Sequence, residues 1–251
     1  RPQQQQQQIN QPSNNRQNRE RRQGINPSWP WLGLLNINGN NFCYMNAGLQ
    51  LLFSATKFMQ AIAITNNEDN ICSVLSALWM ALMDRTPTSV LASAQPVRDL
   101  MDVFERYRVH DGDEFIKKLL DSLPVPVVDK FFGWIVRRTL KCTSCGCTRV
   151  TDDSEQCLPI VVGDGGFDRR DLPYYVNDHF RQEGEFDYTK CPECNVGKTV
   201  KQTSKIMSQP KVLLIHLIRN RFVGGRDCKI NDPVEFTPSF SFDNDLFESE
   251  I

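Results

Sequence analysis

The clearest chemical signature in this 251-residue chain is a set of four cysteines in two pairs, Cys142-Thr-Ser-Cys145 and Cys191-Pro-Glu-Cys194. Each Cys-x-x-Cys turn presents two thiolates from one knuckle, and two such turns supply the four soft ligands that tetrahedral zinc takes. With every corner filled by protein, that zinc is structural, because a catalytic zinc keeps one position open. Cys147 stands one glycine beyond Cys145 and could replace one ligand, although the two-residue spacing is the better bite. The stretch between the pairs is long for a minimal zinc ribbon and must hold structure of its own. Cys72, Cys157 and Cys228 read as small buried hydrophobes.

Cys43 is the second reactive candidate. It follows Asn36-Ile-Asn38-Gly39-Asn40-Asn41-Phe42, where glycine and asparagines permit a tightly turned, irregular loop. It also precedes an apolar period of helical type. A thiol at a helix N-terminus feels the positive end of the macrodipole, which favours the thiolate. Neighbouring amides and asparagine carboxamides could donate hydrogen bonds to a developing oxyanion.

The elements that must position these residues follow from periodicity. Met45, Leu49, Leu52, Phe53 and Met59 recur at helical spacing from Cys43 to about Ile64. A second helix is expected over 71–83, with Val74, Leu75, Leu78 and Leu82 on one side. A third is expected over 96–106, opening with Pro96 in its first turn. A fourth starts at Asp111, where Asp111 and Glu114 form an N-cap and N3 pair resembling a capping box. Its buried face is Phe115, Leu119 and Leu120, and Pro124 and Pro126 end it. After Lys130 the segments 131–136, 158–162 and 212–217 read as strands, with a short helix over 171–181. Helices first and mostly antiparallel strands afterwards describe an α+β fold.

Composition narrows the partners. A net charge of −1 offers no attraction to nucleic acid or to an anionic membrane, so neither is expected as a partner. No apolar run approaches the ~18 residues that span a bilayer. The first residues lack the apolar core of a signal peptide, and nine cysteines make an odd number with metal-ligand spacing. Reduced thiols in the cytoplasm or nucleus are the expectation. Residues 1–28 hold a glutamine run, Gln3 to Gln8, and Arg16, Arg19, Arg21 and Arg22. So few apolar groups cannot offset the ~1–2 kcal/mol per residue of backbone entropy, so a disordered tail is expected there.

With these residues in view, the chain resembles the ubiquitin-specific proteases. Gly39-Asn-Asn-Phe-Cys43-Tyr-Met-Asn46 with Leu49-Gln50 is similar to their cysteine box, with one residue inserted between glycine and cysteine and Phe42 where threonine is usual. His110-Asp111-Gly112-Asp113-Glu114-Phe115 resembles their Gln-x-Asp-Ala-x-Glu-Phe segment. Phe132-Gly133, the paired cysteines and Leu158-Pro159-Ile160 resemble their zinc-bearing fingers. Pro210 to Arg219, Lys229 and Pro233-Val-Glu-Phe236 resemble their long central strand and the edge that follows. The match runs over about 30–240 in order. It implies a papain-like fold with a helical thumb over 29–130 and fingers and palm over 131–251. It implies a deubiquitinase, a thiol-dependent hydrolase of the bond after ubiquitin's C-terminal glycine, with ubiquitin and ubiquitinated proteins as partners. By the match Cys43 is the nucleophile, Asn38 helps to hold the oxyanion, and Asp111 and Glu114 meet ubiquitin's basic tail. An N-cap pair also explains Asp111 and Glu114 structurally.

A thiol–imidazole pair needs a histidine in hydrogen-bond reach. The family takes it from a Gly-His-Tyr box downstream of the last matched strand, and the chain reaches Ile251 without one, so the palm reads as C-terminally incomplete. His110 belongs to the acidic helix, His179 to a finger helix and His216 to the central strand. The alternative function is a catalytically inactive ubiquitin-binding or scaffold module of the same fold. A zinc-ribbon nucleic-acid binder is disfavoured by the neutral charge. The tail reading has a direct test: deleting residues 1–28 leaves the melting temperature within a few degrees of the parent's, and a larger drop would show that the tail packs on the domain.

Overall fold

The computed structural model describes residues 33, 34, 36, 41–65, 70–83, 93–101, 103–105, 108, 110–163, 170–181, 184–188, 191–196, 198–223 and 225–248. The 1–28 tail, Asn38, Gly39 and Asn40 lie outside these residues.

The long apolar period after Cys43 folds as two helices, α1 (Cys43–Ser54) and α2 (Thr56–Ile64), bent by 90° at Ala55. Ser54 Oγ donates to Leu51 O at 2.6 Å, and Ala55 leaves the helical region with ψ 68. The period continues unbroken because both helices bury their faces in one core, through Met45, Leu49 and Leu52 on α1 and Phe58, Met59 and Ile62 on α2. Helix α3 (Asn70–Met83) packs on α2 and buries Leu75, Leu78 and Leu82, with Val74 partly buried against the same core.

Helix α4 (Gln95–Leu100) is shorter than the expected 96–106. Buried Arg98 donates to Glu105 O at 2.9 Å, which holds the following chain in a turn instead of another helical coil. Helix α5 (Gly112–Asp121) is capped by Asp111, whose carboxylate accepts the Asp113 N–H at 2.7 Å. That bond reaches the second helical amide, not the third of a capping box. Phe115, Leu119 and Leu120 are buried as expected.

Pro124 and Pro126 do more than end α5. They open a further helix, α6 (Val125–Phe132), with Pro124 at the N-cap and Pro126 in its first turn. Phe131 and Phe132 therefore close a helix, where strand was expected, and both rings pack edge-on against Phe58. A side chain at Gly133 would lie 2.5 Å from Asp129 O, and strand begins at Trp134.

Strands β1 (Trp134–Cys142), β2 (Thr148–Glu155), β5 (Gly184–Tyr188) and β6 (Lys198–Ser208) form an antiparallel sheet in the order β2-β1-β6-β5. The smaller pairings depart from the antiparallel expectation. Strand β3 (Leu158–Val161) pairs in parallel with β7 (Ile215–Ile218), and β4 (Arg170–Asp171) with β10 (Val234–Glu235). Helix α7 (Leu172–Arg181) meets the expected 171–181, and β8 (Asn220–Val223) with β9 (Arg226–Lys229) makes a hairpin. A second core gathers Trp134, Leu158, Ile160, Val176, Phe180 and Ile206. No single helix among the described residues is long and apolar enough to cross a membrane.

Gly48 permits the close contact of α1 with α5. A Cβ there would sit 2.8 Å from Phe115 Cδ1 and 3.1 Å from Ile116 Cγ1. Gly48→Ala adds about 1 kcal/mol of helix propensity but forces Phe115 off its place in a filled core at about 1–3 kcal/mol. The expected outcome is a lower urea midpoint; an unchanged or higher midpoint would show that the two helices separate without cost.

Candidate functional site

Cys43 is the first residue of α1 and is exposed. The approach to it is built by its neighbours. Asn41 takes the left-handed conformation at φ 51, which asparagine tolerates better than most residues. Phe42 is wholly buried, with the Arg98 guanidinium 5.1 Å from its ring centre, so the chain is anchored one residue before the thiol. Asn46 Nδ2 donates to Leu34 O at 3.4 Å and ties the incoming segment to the helix. Cys43, Ala47, Gln50, Leu51 and Ser54 form one solvent-facing stripe of α1, and the rest of the helix is buried. The thiol thus opens the exposed face of an otherwise buried helix.

The first bond of the helical ladder is Asn46 N–H to Phe42 O at 2.7 Å. The amides of residues 43–45 precede that ladder, as at any helix N-terminus, and form a positive end beside the thiol. Tyr44 is buried among Phe104, His110 and Phe115, with ring centres 5.7, 5.3 and 5.9 Å away. Burial pushes its phenol pKa up, Arg98 pulls it down, and Cys43 and Glu114 add to the rise. Its hydroxyl is buried and has no hydrogen-bond partner among the described residues.

The three imidazoles are engaged elsewhere. His110 lies just before the α5 cap and not within the helix, with Nε2 3.2 Å from Glu105 O. His216 on β7 sets Nδ1 3.2 Å from Asp113 Oδ2. His179 on α7 packs on Phe180, and its pKa is lowered by burial and then by Arg138. Among the described residues, no imidazole hydrogen-bonds Cys43.

Asp111 and Glu114 are both exposed at the start of α5. The acidic residue that sequence reasoning passed over is Asp113. Its Oδ2 accepts Lys117 Nζ at 2.7 Å and faces His216, so it joins α5 to β7. Its hydrogen bond is the first cause of a raised Lys117 pKa. The Asp113–Lys117 spacing of four was legible as a helical ion pair; the strand partner was not. Cys157 is half-buried beside this group, and burial, with Asp113 second, pushes its thiol up to about 11. Cys72 is buried as expected, but Cys228 is exposed, because β9 belongs to a two-stranded hairpin and all four of its residues face solvent.

The second constellation lies at one end of the four-stranded sheet. The turn after β1 carries Cys142 and Cys145, and the turn before β6 carries Cys191 and Cys194. The two turns repeat one design. Gly146 N–H donates to Cys142 O at 2.9 Å, and Asn195 N–H donates to Cys191 O at 2.8 Å. Gly146 at φ 72 and Asn195 at φ 58 take the same left-handed conformation four residues after the leading cysteine. The four Sγ atoms lie within 4.8 Å of one another, with Cys142–Cys194 at 4.0 Å and Cys145–Cys191 at 3.8 Å. A tetrahedral ion with 2.3 Å bonds sets its sulfurs about 3.8 Å apart. The donor set therefore fits a metal ion. Backbone N–H groups of Cys145 and Ser144 hold the Cys142 thiol below its usual range. The Cys194 N–H, the Cys147 side chain and the Glu193 N–H bring Cys191 down to about 6.

Comparison with known proteins follows the same span. The family model described as ubiquitin carboxyl-terminal hydrolase matches residues 32–250. Ubiquitin carboxyl-terminal hydrolase 17-like protein B of Mus musculus is 25% identical over 239 residues, covering 85% of this chain and 49% of the relative. Probable ubiquitin carboxyl-terminal hydrolase 16 of Schizosaccharomyces pombe is 23% identical over 246 residues, 86% and 52%. The chain thus spans about half the length of these curated relatives. Among solved structures, the SAGA Ubp8/Sgf11/Sus1/Sgf73 DUB module bound to ubiquitin aldehyde matches with a TM-score of 0.61 at 20% identity, covering 82% of this chain and 51% of that one.

The sulfur tetrad generates a prediction independent of any activity. Purified protein carries about one metal ion per chain, acidification releases it as protons compete for the thiolates, and Cys191→Ser lowers both metal content and thermal stability. Full metal content in Cys191→Ser at neutral pH would remove Cys191 from the ligand set.

Proposed function

The chain belongs to the ubiquitin carboxyl-terminal hydrolase family and has its papain-like fold, and from that premise we propose that it acts on ubiquitin, with Cys43 as nucleophile and with one structural zinc. The observation that carries the reading is the placement of Cys43: an exposed thiol, held by buried Phe42 and Tyr44 on either side, at the positive end of a buried helix. Its thiolate attacks the carbonyl carbon after ubiquitin's C-terminal glycine. The carbonyl oxygen becomes an oxyanion beside the amides of residues 43–45, with the Asn38 carboxamide as a further donor. Collapse expels the amine, which must gain a proton, and water then hydrolyses the thioester. Zinc bound by Cys142, Cys145, Cys191 and Cys194 ties two turns of the sheet together and takes no part in these steps.

A second reading, a ubiquitin-binding or scaffold module without turnover, is favoured by the imidazoles. His110, His179 and His216 all have other partners, and a general acid–base contributes ~10²–10⁴-fold. The chain alone therefore reacts once with an electrophilic ubiquitin probe at Cys43 but hydrolyses a fluorogenic ubiquitin amide barely. A longer chain that brings an imidazole to Cys43 turns over and loses that activity on Cys43→Ala. Probe labelling that persists in Cys43→Ala would reject the nucleophile. A longer chain with its histidine that stays inert would favour the scaffold.

Asp111 allows the cap and the binding roles to be separated. Asparagine caps a helix about as well as aspartate, so Asp111→Asn removes the charge and keeps α5 intact. Weaker binding to ubiquitin in Asp111→Asn at unchanged melting temperature, and still weaker binding in Asp111→Lys, which also loses the cap and some stability, is the expected result. Equal binding by all three would leave Asp111 as a cap alone.

A further inference from the structure

Five thiols, not four, meet at the end of the sheet. Cys147 Sγ lies 3.2 Å from Cys191 Sγ, closer than the 3.8 Å of Cys145–Cys191 or the 4.0 Å of Cys142–Cys194. Four sulfurs fill a tetrahedron, so the fifth stands against one ligand without a corner of its own. Its place is fixed by backbone: Cys147 O accepts the Cys142 N–H at 2.9 Å, and the preceding Gly146 sits at φ 72. Cys191 itself is buried, but a cleft of about 500 Å³ reaches it, bordered by Cys145, Cys147, Arg149 and Glu193. That cleft admits a small solute.

We propose that Cys147 and Cys191 are a reversible oxidation site, at which a hydroperoxide joins the two sulfurs and releases the metal. The proposal rests on the zinc reading above. Coordination keeps Cys191 as thiolate. Its sulfur attacks the peroxide O–O bond, forming Cys191–SOH and expelling hydroxide. The Cys147 thiol then attacks that sulfur, and water leaves. Two electrons pass from the two sulfurs to the peroxide, so one thiolate, one thiol and hydrogen peroxide yield a disulfide, hydroxide and water. The sulfurs close by about 1.2 Å to reach the ~2.05 Å disulfide bond. A resolving thiol in this position diverts the sulfenic acid from irreversible oxidation to a bond that dithiol reductants reopen. The remaining three thiolates leave one zinc corner without its sulfur, and the metal is lost.

The test uses the full chain, purified with its zinc. Hydrogen peroxide is added, zinc release is followed with a chromogenic chelator, and the cysteines are mapped by non-reducing peptide mass spectrometry. The parent is expected to release zinc with a Cys147–Cys191 linkage and to recover it after reduction and zinc addition. Cys147→Ser and Cys147→Ala, which leave the four ligands in place, are expected to start with full zinc, to release it several-fold more slowly and to recover little after reduction. Zinc release at the parent's rate in both variants, or a map showing Cys145–Cys191 or Cys142–Cys194 in the parent, would overturn the proposal while leaving the metal reading intact. A parent purified without zinc that nonetheless forms the Cys147–Cys191 linkage would overturn the metal reading and keep the oxidation site.

Discussion

Helix α1 is buried on all but one stripe, its first residue opens that stripe to solvent, and much of the described structure follows from that constraint. Burial of Phe42, Tyr44, Met45, Leu49 and Phe53 ties the helix into the aromatic core. A helix so enclosed cannot rotate to hide or shift Cys43 without moving Phe115 against Gly48. The thiol's exposure is therefore a property of packing and not of a loose terminus. Arg98 extends the same logic, since one buried guanidinium covers Phe42 and stops α4 by bonding Glu105 O.

The sheet end is organised by different physics. It contributes little to either core, and its order comes from two turns whose backbone bonds aim four sulfurs at a common point. A metal ion bound there would add its binding free energy to the folding free energy of this end of the sheet. The repeat of left-handed residues at Gly146 and Asn195 shows how glycine and asparagine meet one geometric demand. Crowding a fifth thiol against such a centre makes the same strands sensitive to oxidation chemistry.

Between the helical core and the second core runs a polar seam. Asp113 is shared by Lys117 of its own helix and His216 of β7, and Cys157 sits beside it with its thiol kept protonated by burial. The seam commits one imidazole to fold geometry. His110, packed on Tyr44 and Phe104, is committed in the same way.

Much of this was legible in the sequence because it is local. Periodicity located α3, α5 and α7, the Asp111 cap, and the apolar face of α1 and α2. The Cys-x-x-Cys spacing announced a four-sulfur site, because a two-residue turn dictates its own bite. Features that depend on distant chain segments were not legible. The 90° bend at Ala55 leaves the apolar period intact, since both helices face one core. Pro124 and Pro126 end one helix and begin the next, and local rules allow either role. The parallel pairing of β3 with β7, the Asp113–His216 contact, the exposure of Cys228 and the approach of Cys147 to Cys191 are set by tertiary placement alone. Sequence by itself determined which thiols and carboxylates were candidates for chemistry; which of them meet was decided by packing, because contacts across long chain separations depend on how whole elements are stacked, and no residue pattern encodes that distance.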